Sequence, residues 1–122
     1  MKKLIIIPAF NESASIVRTV EEIRAQAPEF DYIVINDCST DSTGKLCHDR
    51  GFHVIDLPLN LGIGGAVQTG YRYARDRGYD MAVQVDGDGQ HDPMFLREMA
   101  RELERDQADM VIGSRFLEKK GF

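Results

Sequence analysis

Two carboxylates stand two residues apart in Asp86-Gly87-Asp88-Gly89-Gln90, with a glycine between them. The glycines free both side chains to turn toward one hard divalent cation, and Gln90 adds a neutral oxygen as a third donor. Oxygen donors of this kind suit Mg or Mn, in a site that keeps positions open for substrate phosphates. As an isolated motif the run also fits a solvated acidic turn. A calcium loop does not fit, because His91 stands where that loop needs glycine and Arg97 where it needs a bidentate glutamate.

Three further groups carry chemistry. Gly62-Ile63-Gly64-Gly65 opens a helical pattern, so its N–H groups can face an anion; a plain strand-to-helix turn explains the same spacing equally well. The dinucleotide fingerprint fails, since Val67 occupies the third glycine position, and the P-loop fails because Gly70 is followed by Tyr71-Arg72. Asp37 is a candidate acceptor for a nucleobase N–H, or else a turn residue in the stretch Asp37 to Thr43, where Ser39 and Thr43 read as local turn and cap residues. Arg115 offers a planar fork for phosphate. Cys38, Cys47, His48, His53 and His91 match no common zinc spacing.

These residues need a frame, and the hydrophobic pattern supplies one. Leu4 to Ile7, Tyr32 to Ile35, His53 to Asp56, Met81 to Val85 and Met110 to Ile112 are short apolar runs, as strands buried on both faces would be. Between them, helical spacing links Ile16, Val17, Val20, Ile23 and Ala27, then Leu46 and Cys47 within Asp41 to Arg50. It continues through Ala66, Val67, Gly70, Tyr71 and Ala74, and after the Asp92-Pro93 helix start through Phe95, Leu96, Met99 and Leu103. Tyr71 and Tyr73 cannot both face the core of one helix, which puts one of them at the surface or an interface. Strand and helix alternating five times predict an α/β domain on a mainly parallel sheet with helices on both faces. In such sheets ligands bind beyond the carboxyl ends of the strands, and every polar or glycine-rich segment named above lies at one of those ends.

Composition bounds the rest. The chain has 122 residues, 43% hydrophobic and 29% charged, with 15 Lys and Arg against 20 Asp and Glu. One domain is expected over 1–122, with no room for a second. The fractions exclude wholesale disorder, and the net charge of -5 argues against nucleic acid as a partner. No apolar run approaches the roughly 20 residues of a membrane span. The basic and apolar start is cut short by Pro8, Asn11 and Glu12, too early for a signal peptide. Two cysteines make no disulfide framework, so a cytoplasmic domain with reduced thiols is expected. No closing helix follows Gly113-Ser114-Arg115, so the chain reads as a fragment, or as one whose last strand, with Phe116 and Phe122, pairs with another copy.

Taken together the segments resemble the family 2 glycosyltransferases of the GT-A fold, nearest to the branch of dolichyl-phosphate mannose synthases and polyprenyl-phosphate glycosyltransferases. The resemblance rests on Pro8-Ala9-Phe10-Asn11-Glu12, on Asp37, Ser39, Asp41 and Thr43, on Asn60, Gly62, Gly64 and Ala66, on Asp86 through Pro93, and on Gly113-Ser114-Arg115. It implies a Rossmann-like sheet truncated on its C-terminal side, with its first strands in the order 3-2-1-4. It implies a donor, a UDP- or GDP-linked sugar, whose base and ribose meet Pro8, Ala9, Glu12 and Asp37, with Asn11, Asn60, Gly62 and Gly64 as further contacts. Asp86 would sit near ribose and metal, Asp88 and Gln90 would hold Mg or Mn against the diphosphate, and Arg115 would contact the phosphates. Asp88 and Arg115 are thereby the expected catalytic residues, because a divalent ion and an arginine stabilise the charge that develops on the leaving diphosphate. The implied reaction inverts the anomeric centre and delivers the sugar to a polyprenyl phosphate, with the longer protein at the cytoplasmic face of a membrane. The family's chain runs well beyond Gly-Ser-Arg, so the acceptor site and any catalytic base are expected outside this sequence, and the chain alone is expected to transfer sugar poorly or not at all.

Other classes fit less well. A phosphoacceptor signalling domain would need an acidic pair after the first strand, where Pro8-Ala9-Phe10 stands, and a lysine where Ser114-Arg115 stands. A nucleotidyltransferase would need a basic glycine-rich loop after that same strand. A non-catalytic nucleotide-sugar-binding module fits the sequence as well as the donor half of an enzyme does.

Overall fold

A computed structural model describes residues 2–86. The helix after Asp92-Pro93, the fifth strand, Asp88, Gln90, Arg115 and the terminal phenylalanines lie outside the described residues. Four strands, β1 (Lys3–Ala9), β2 (Asp31–Asn36), β3 (Val54–Asp56) and β4 (Met81–Gln84), alternate with α1 (Ile16–Gln26), α2 (Thr43–Asp49) and α3 (Gly62–Asp76). The sheet order is β3-β2-β1-β4, as the resemblance implied, and every pairing is parallel. In register, Ile6 lies opposite Ile33 of β2 and Gln84 of β4.

The Leu4–Ile7 run is apolar throughout because β1 is covered on both faces. Ile5 and Ile7 join Val34, Met81 and Val83 in a core layer with Ile16, Val20 and Ile23 of α1 and Cys47 of α2. Leu4 and Ile6 point the other way, with Ile33, Ile35 and Ala82, toward Ala66 and Ala74 of α3. Each fully buried Ile or Leu contributes roughly 1.5–3 kcal/mol. On the α3 side the inward residues are small: Ala66, Gly70 and Ala74 recur every fourth position, and the helix lies close on the sheet over Ile6.

Helix ends follow local chemistry. The Ala27 N–H still donates to the Ile23 carbonyl at 2.8 Å, and Pro28 then stops α1. Helix α2 begins at Thr43, two residues later than its pattern predicts, because the Asp41 carboxylate accepts the Thr43 N–H at 2.9 Å. The two tyrosines of α3 also depart from expectation. Neither is exposed: Tyr71 and Tyr73 are both half-buried against the same core layer. Tyr73 manages this by stacking on Tyr79, with the Arg77 guanidinium 4.7 Å from its ring centre. Among the described residues no helix is long and apolar enough to cross a membrane.

Candidate functional site

The chain runs from β1 outward to β2 and β3, then returns through α3 to β4 on the other side of β1. That reversal leaves a crevice at the carboxyl ends of the strands, where ligands of open α/β sheets bind. A cleft of about 470 Å³ lies there, lined by Pro8, Ala9, Phe10, Glu12, Asp37, Asn60, Gly62, Ile63, Ala66 and Asp86. Seven of the residues expected to contact ligand or metal are thus brought to one wall or another: Pro8, Ala9, Glu12, Asp37, Asn60, Gly62 and Asp86.

Asp37 is 3% exposed and is held from three sides. Its N–H donates to the Ala9 carbonyl at 2.9 Å, and its Oδ1 accepts the Leu61 N–H at 2.7 Å. The Asn60 amide donates to the Asp37 carbonyl at 3.3 Å, while Asn60 Oδ1 accepts the Gly62 N–H at 3.0 Å. Asn60 and Asp37 therefore lock the loop before α3 onto the end of β2. Gly62 has φ +80, a left-handed conformation that glycine adopts without strain.

Asn11 and Gly64 do not line the cleft. Asn11 has φ 54, and its Oδ1 accepts the Thr40 N–H at 2.8 Å and the Asp41 N–H at 3.3 Å. The hydroxyls read as local turn residues also reach across to this loop. Ser39 Oγ accepts the Asn11 N–H at 3.0 Å, and Thr43 Oγ1 accepts the Glu12 N–H at 2.9 Å. Asp41 takes the Ser13 N–H at 3.2 Å. The alternating Ser39, Asp41 and Thr43 thus clamp the first loop to the second and fix the backbone that carries Glu12.

Asp41 makes this clamp sensitive to acid. Desolvation raises its pKa, but hydrogen bonds from Thr43 and Ser13 outweigh it and bring the carboxyl from 3.8 to about 2. A carboxyl depressed on folding stabilises the fold above its unfolded pKa and loses that contribution as pH falls through the folded one. Hydrogen-exchange protection of the Asn11–Ser13 amides is therefore expected to fall between pH 3.8 and about 2, and Asp41→Asn should flatten that profile.

Asp86 is the described member of the expected metal set. Its Oδ1 accepts the Gln84 side-chain N–H at 3.0 Å, and its carboxylate belongs to the cleft wall. A hard oxygen donor in that position fits Mg or Mn. Phe10 and Ile63 also line the cleft and are 43% and 63% exposed. Neither stood among the candidate contacts; the signal available was a large apolar residue inside an otherwise polar or glycine-rich loop. Cys38, between Asp37 and Ser39, has φ 57, and its thiol donates to the Pro58 carbonyl at 3.7 Å. The Cys47 thiol is instead pushed up to about 11, by burial first and by the nearby Asp56 charge second.

A second cleft at the opposite rim includes Asp31, Tyr32, His53, Tyr73 and Tyr79. Its tyrosine hydroxyls are engaged: that of Tyr79 donates to Asp31 at 2.6 Å, and that of Tyr32 accepts the backbone N–H of His53 at 3.2 Å.

A parallel sheet with its cleft at the strand reversal, walled by an acidic residue after β2 and another after β4, is the arrangement of an open α/β domain with its ligand crevice at the carboxyl ends of the strands. The family model of glycosyl transferase family 2 matches residues 4–122, and the chain belongs to that family. It is 40% identical over 120 residues to the undecaprenyl-phosphate mannosyltransferase of Micrococcus luteus, covering 94% of this chain and 49% of that protein. It is 32% identical to the polyprenol monophosphomannose synthase of Mycolicibacterium smegmatis, covering 95% and 46%. The chain thus spans about half the length of these relatives. Among solved structures, TarS 1-349 of S. aureus in complex with UDP superposes with a TM-score of 0.70 at 25% identity, covering 86% of this chain and 32% of that one. Glucosyl-3-phosphoglycerate synthase of Mycobacterium tuberculosis, with Mn2+, UDP and glucosyl-3-phosphoglycerate, gives 0.67 at 25% identity, covering 84% and 39%. The fold is that of the GT-A glycosyltransferases.

Proposed function

We propose that this chain is the donor-binding part of a glycosyltransferase that takes a nucleoside-diphosphate sugar, UDP- or GDP-linked, and passes the sugar with inversion to a polyprenyl phosphate. The observation that carries this reading is the convergence of Pro8, Ala9, Glu12, Asp37, Asn60, Gly62 and Asp86 on one cleft. Asp37 offers a carboxylate to nucleobase N–H groups, and the apolar faces of Phe10 and Ile63 flank a flat ring. Helix α3 opens on the same cleft, and a helix N-terminus favours the negative charge of a diphosphate.

Asp86, Asp88 and Gln90 would hold Mg or Mn, which neutralises charge on the diphosphate as it departs. Arg115 would offer a positive fork to the same diphosphate. In the transfer, an acceptor oxygen forms the new bond to the anomeric carbon from the face opposite the breaking bond, and the electron pair of that bond leaves with the diphosphate. A phosphate acceptor is already an anion, so it needs less help from a base than a hydroxyl does. The polyprenyl-phosphate acceptor is supported by the names of the two relatives above, and with such an acceptor the enzyme would work at a membrane, at its cytoplasmic face in this reading.

Calorimetric titration with UDP, GDP and their sugars, with and without Mn, tests the donor site. Binding of one nucleotide that requires Mn and is lost in Asp88→Asn is the expected result. Equal binding without metal, or no loss in Asp88→Asn, would overturn the assignment of the metal residues. Binding of the donor by the longer protein without turnover would favour a non-catalytic module.

A further inference from the structure

Beside the cleft, a chain of polar contacts runs from the surface of α2 to the turn that carries Asp37. Asn36, the last residue of β2, is 7% exposed, and both ends of its amide are engaged. Its Nδ2 donates to Asp56 Oδ1 at 2.8 Å, and its Oδ1 accepts the Ser39 N–H at 3.2 Å. The second bond closes the turn across Asp37 and Cys38, the residue with φ 57. A non-glycine residue in that region is strained and persists only where its surroundings hold it. The other oxygen of Asp56 meets His48 Nε2 at 2.5 Å.

The packing around this relay leaves it little play. A Cβ placed on Gly44 would stand 2.6 Å from Asn36 Nδ2 and 3.3 Å from Asp56 Oδ1, so α2 rests directly on the pair. The charged groups around His48 are Asp56 at the end of β3 and, on its own helix, Lys45 and Asp49, which pair with each other at 2.7 Å. Burial works against the Asp56 charge, but hydrogen bonds from Asn36 and His48 hold its carboxyl below the usual range. The His48 and Asp56 side chains are 58% and 46% exposed, and Asp56 connects inward through its bond to the buried Asn36 amide.

We propose that His48 and Asp56 are positioning residues for the cleft, acting through Asn36 to hold the Asp37–Ser39 turn in the conformation that carries Asp37 into the wall. The proposal rests on the reading of that cleft as the nucleotide site. A protonated His48 makes a charge-assisted bond to Asp56, the stronger of the two arrangements available to the pair. Its loss loosens Asp56, then the Asn36 amide, then the turn. The same turn supplies Ser39 Oγ to Asn11, so the effect spreads to the first loop.

Two readouts on the 122-residue chain test this. In NMR titrations, the Cys38 and Ser39 amide signals are expected to shift in step with the His48 ring, to stop doing so in His48→Gln, and to keep doing so in Lys45→Ala. In calorimetry with UDP and GDP in the presence of Mn, His48→Gln and Asp56→Asn should each weaken the nucleotide that binds by about 3- to 10-fold. In wild type, affinity should decline as His48 loses its proton. Turn amides that ignore the His48 titration would overturn the proposal. So would equal nucleotide affinity in wild type and His48→Gln, an outcome that leaves the donor site standing. If the amides follow His48 and the wild type binds neither nucleotide, the donor-site reading fails and the mechanical link from α2 to the turn survives.

Discussion

Asp37→Asn is expected to weaken the binding of UDP or GDP, whichever the cleft accepts, by roughly 10- to 100-fold while leaving thermal stability nearly unchanged. The asymmetry comes from what the substitution keeps. Asp37 Oδ1 accepts the Leu61 N–H at 2.7 Å, and an asparagine carbonyl can accept the same bond. The backbone ties to Ala9 and Asn60 do not involve the side chain's charge at all. What changes is the second oxygen, which becomes an NH2 group and meets nucleobase N–H donors with another donor. Calorimetry beside a thermal melt checks this. Unchanged affinity would remove Asp37 from the base pocket, and a large fall in melting temperature would make its role one of folding.

The second large effect concerns the sheet. Gly70→Ala should destabilise the fold by about 1–3 kcal/mol, although alanine favours a helix over glycine by roughly 1 kcal/mol. The added Cβ would stand 2.3 Å from Ile6 Cγ2, 2.9 Å from Cγ1 and 3.0 Å from Cδ1. Ile6 cannot step aside, because it is fully buried in β1 between β2 and β4. Sterics therefore exceed propensity. In an Ile6→Ala background the same Gly70→Ala change should become neutral or stabilising, since the space it needs has been opened. Urea unfolding of the four proteins measures the reversal, and its absence would mean that α3 shifts instead.

The fold was legible where burial is two-sided. Leu4–Ile7 reads as an interior strand because no polar residue interrupts it, and the small stripe of Ala66, Gly70 and Ala74 reads as a helix face because its period is right. The start of α2 was not legible, since no local pattern shows that the Asp41 carboxylate serves Thr43 with one oxygen and Ser13, in another loop, with the other. The order of the strands came from the family and the switch-point rule, since hydrophobic period says nothing about which strands pair. At the cleft, polar residues at strand ends could be named because an α/β sheet sends its ligands there. Asn11 shows the limit. It has the right chemistry in the right motif, yet its amide oxygen is taken by Thr40 and Asp41, a contact between loops 29 and 30 residues apart that no local pattern encodes. Phe10 and Ile63 show the converse, because an apolar residue is read as core unless its exposure is known.

The strand order has a consequence for synthesis. β1 is made first, and β2 can pair with one of its edges soon afterwards, but its other edge belongs to β4, whose Asp80 end meets Lys2 across 78 residues of sequence. On the ribosome, the most aliphatic segment of the chain therefore waits with one side open while α2, β3 and α3 emerge. An open isoleucine-rich edge is an invitation to pair with another nascent chain. Slow translation before Met81 would lengthen that exposure, so the yield of soluble protein should depend on how quickly the β3-to-β4 stretch is made.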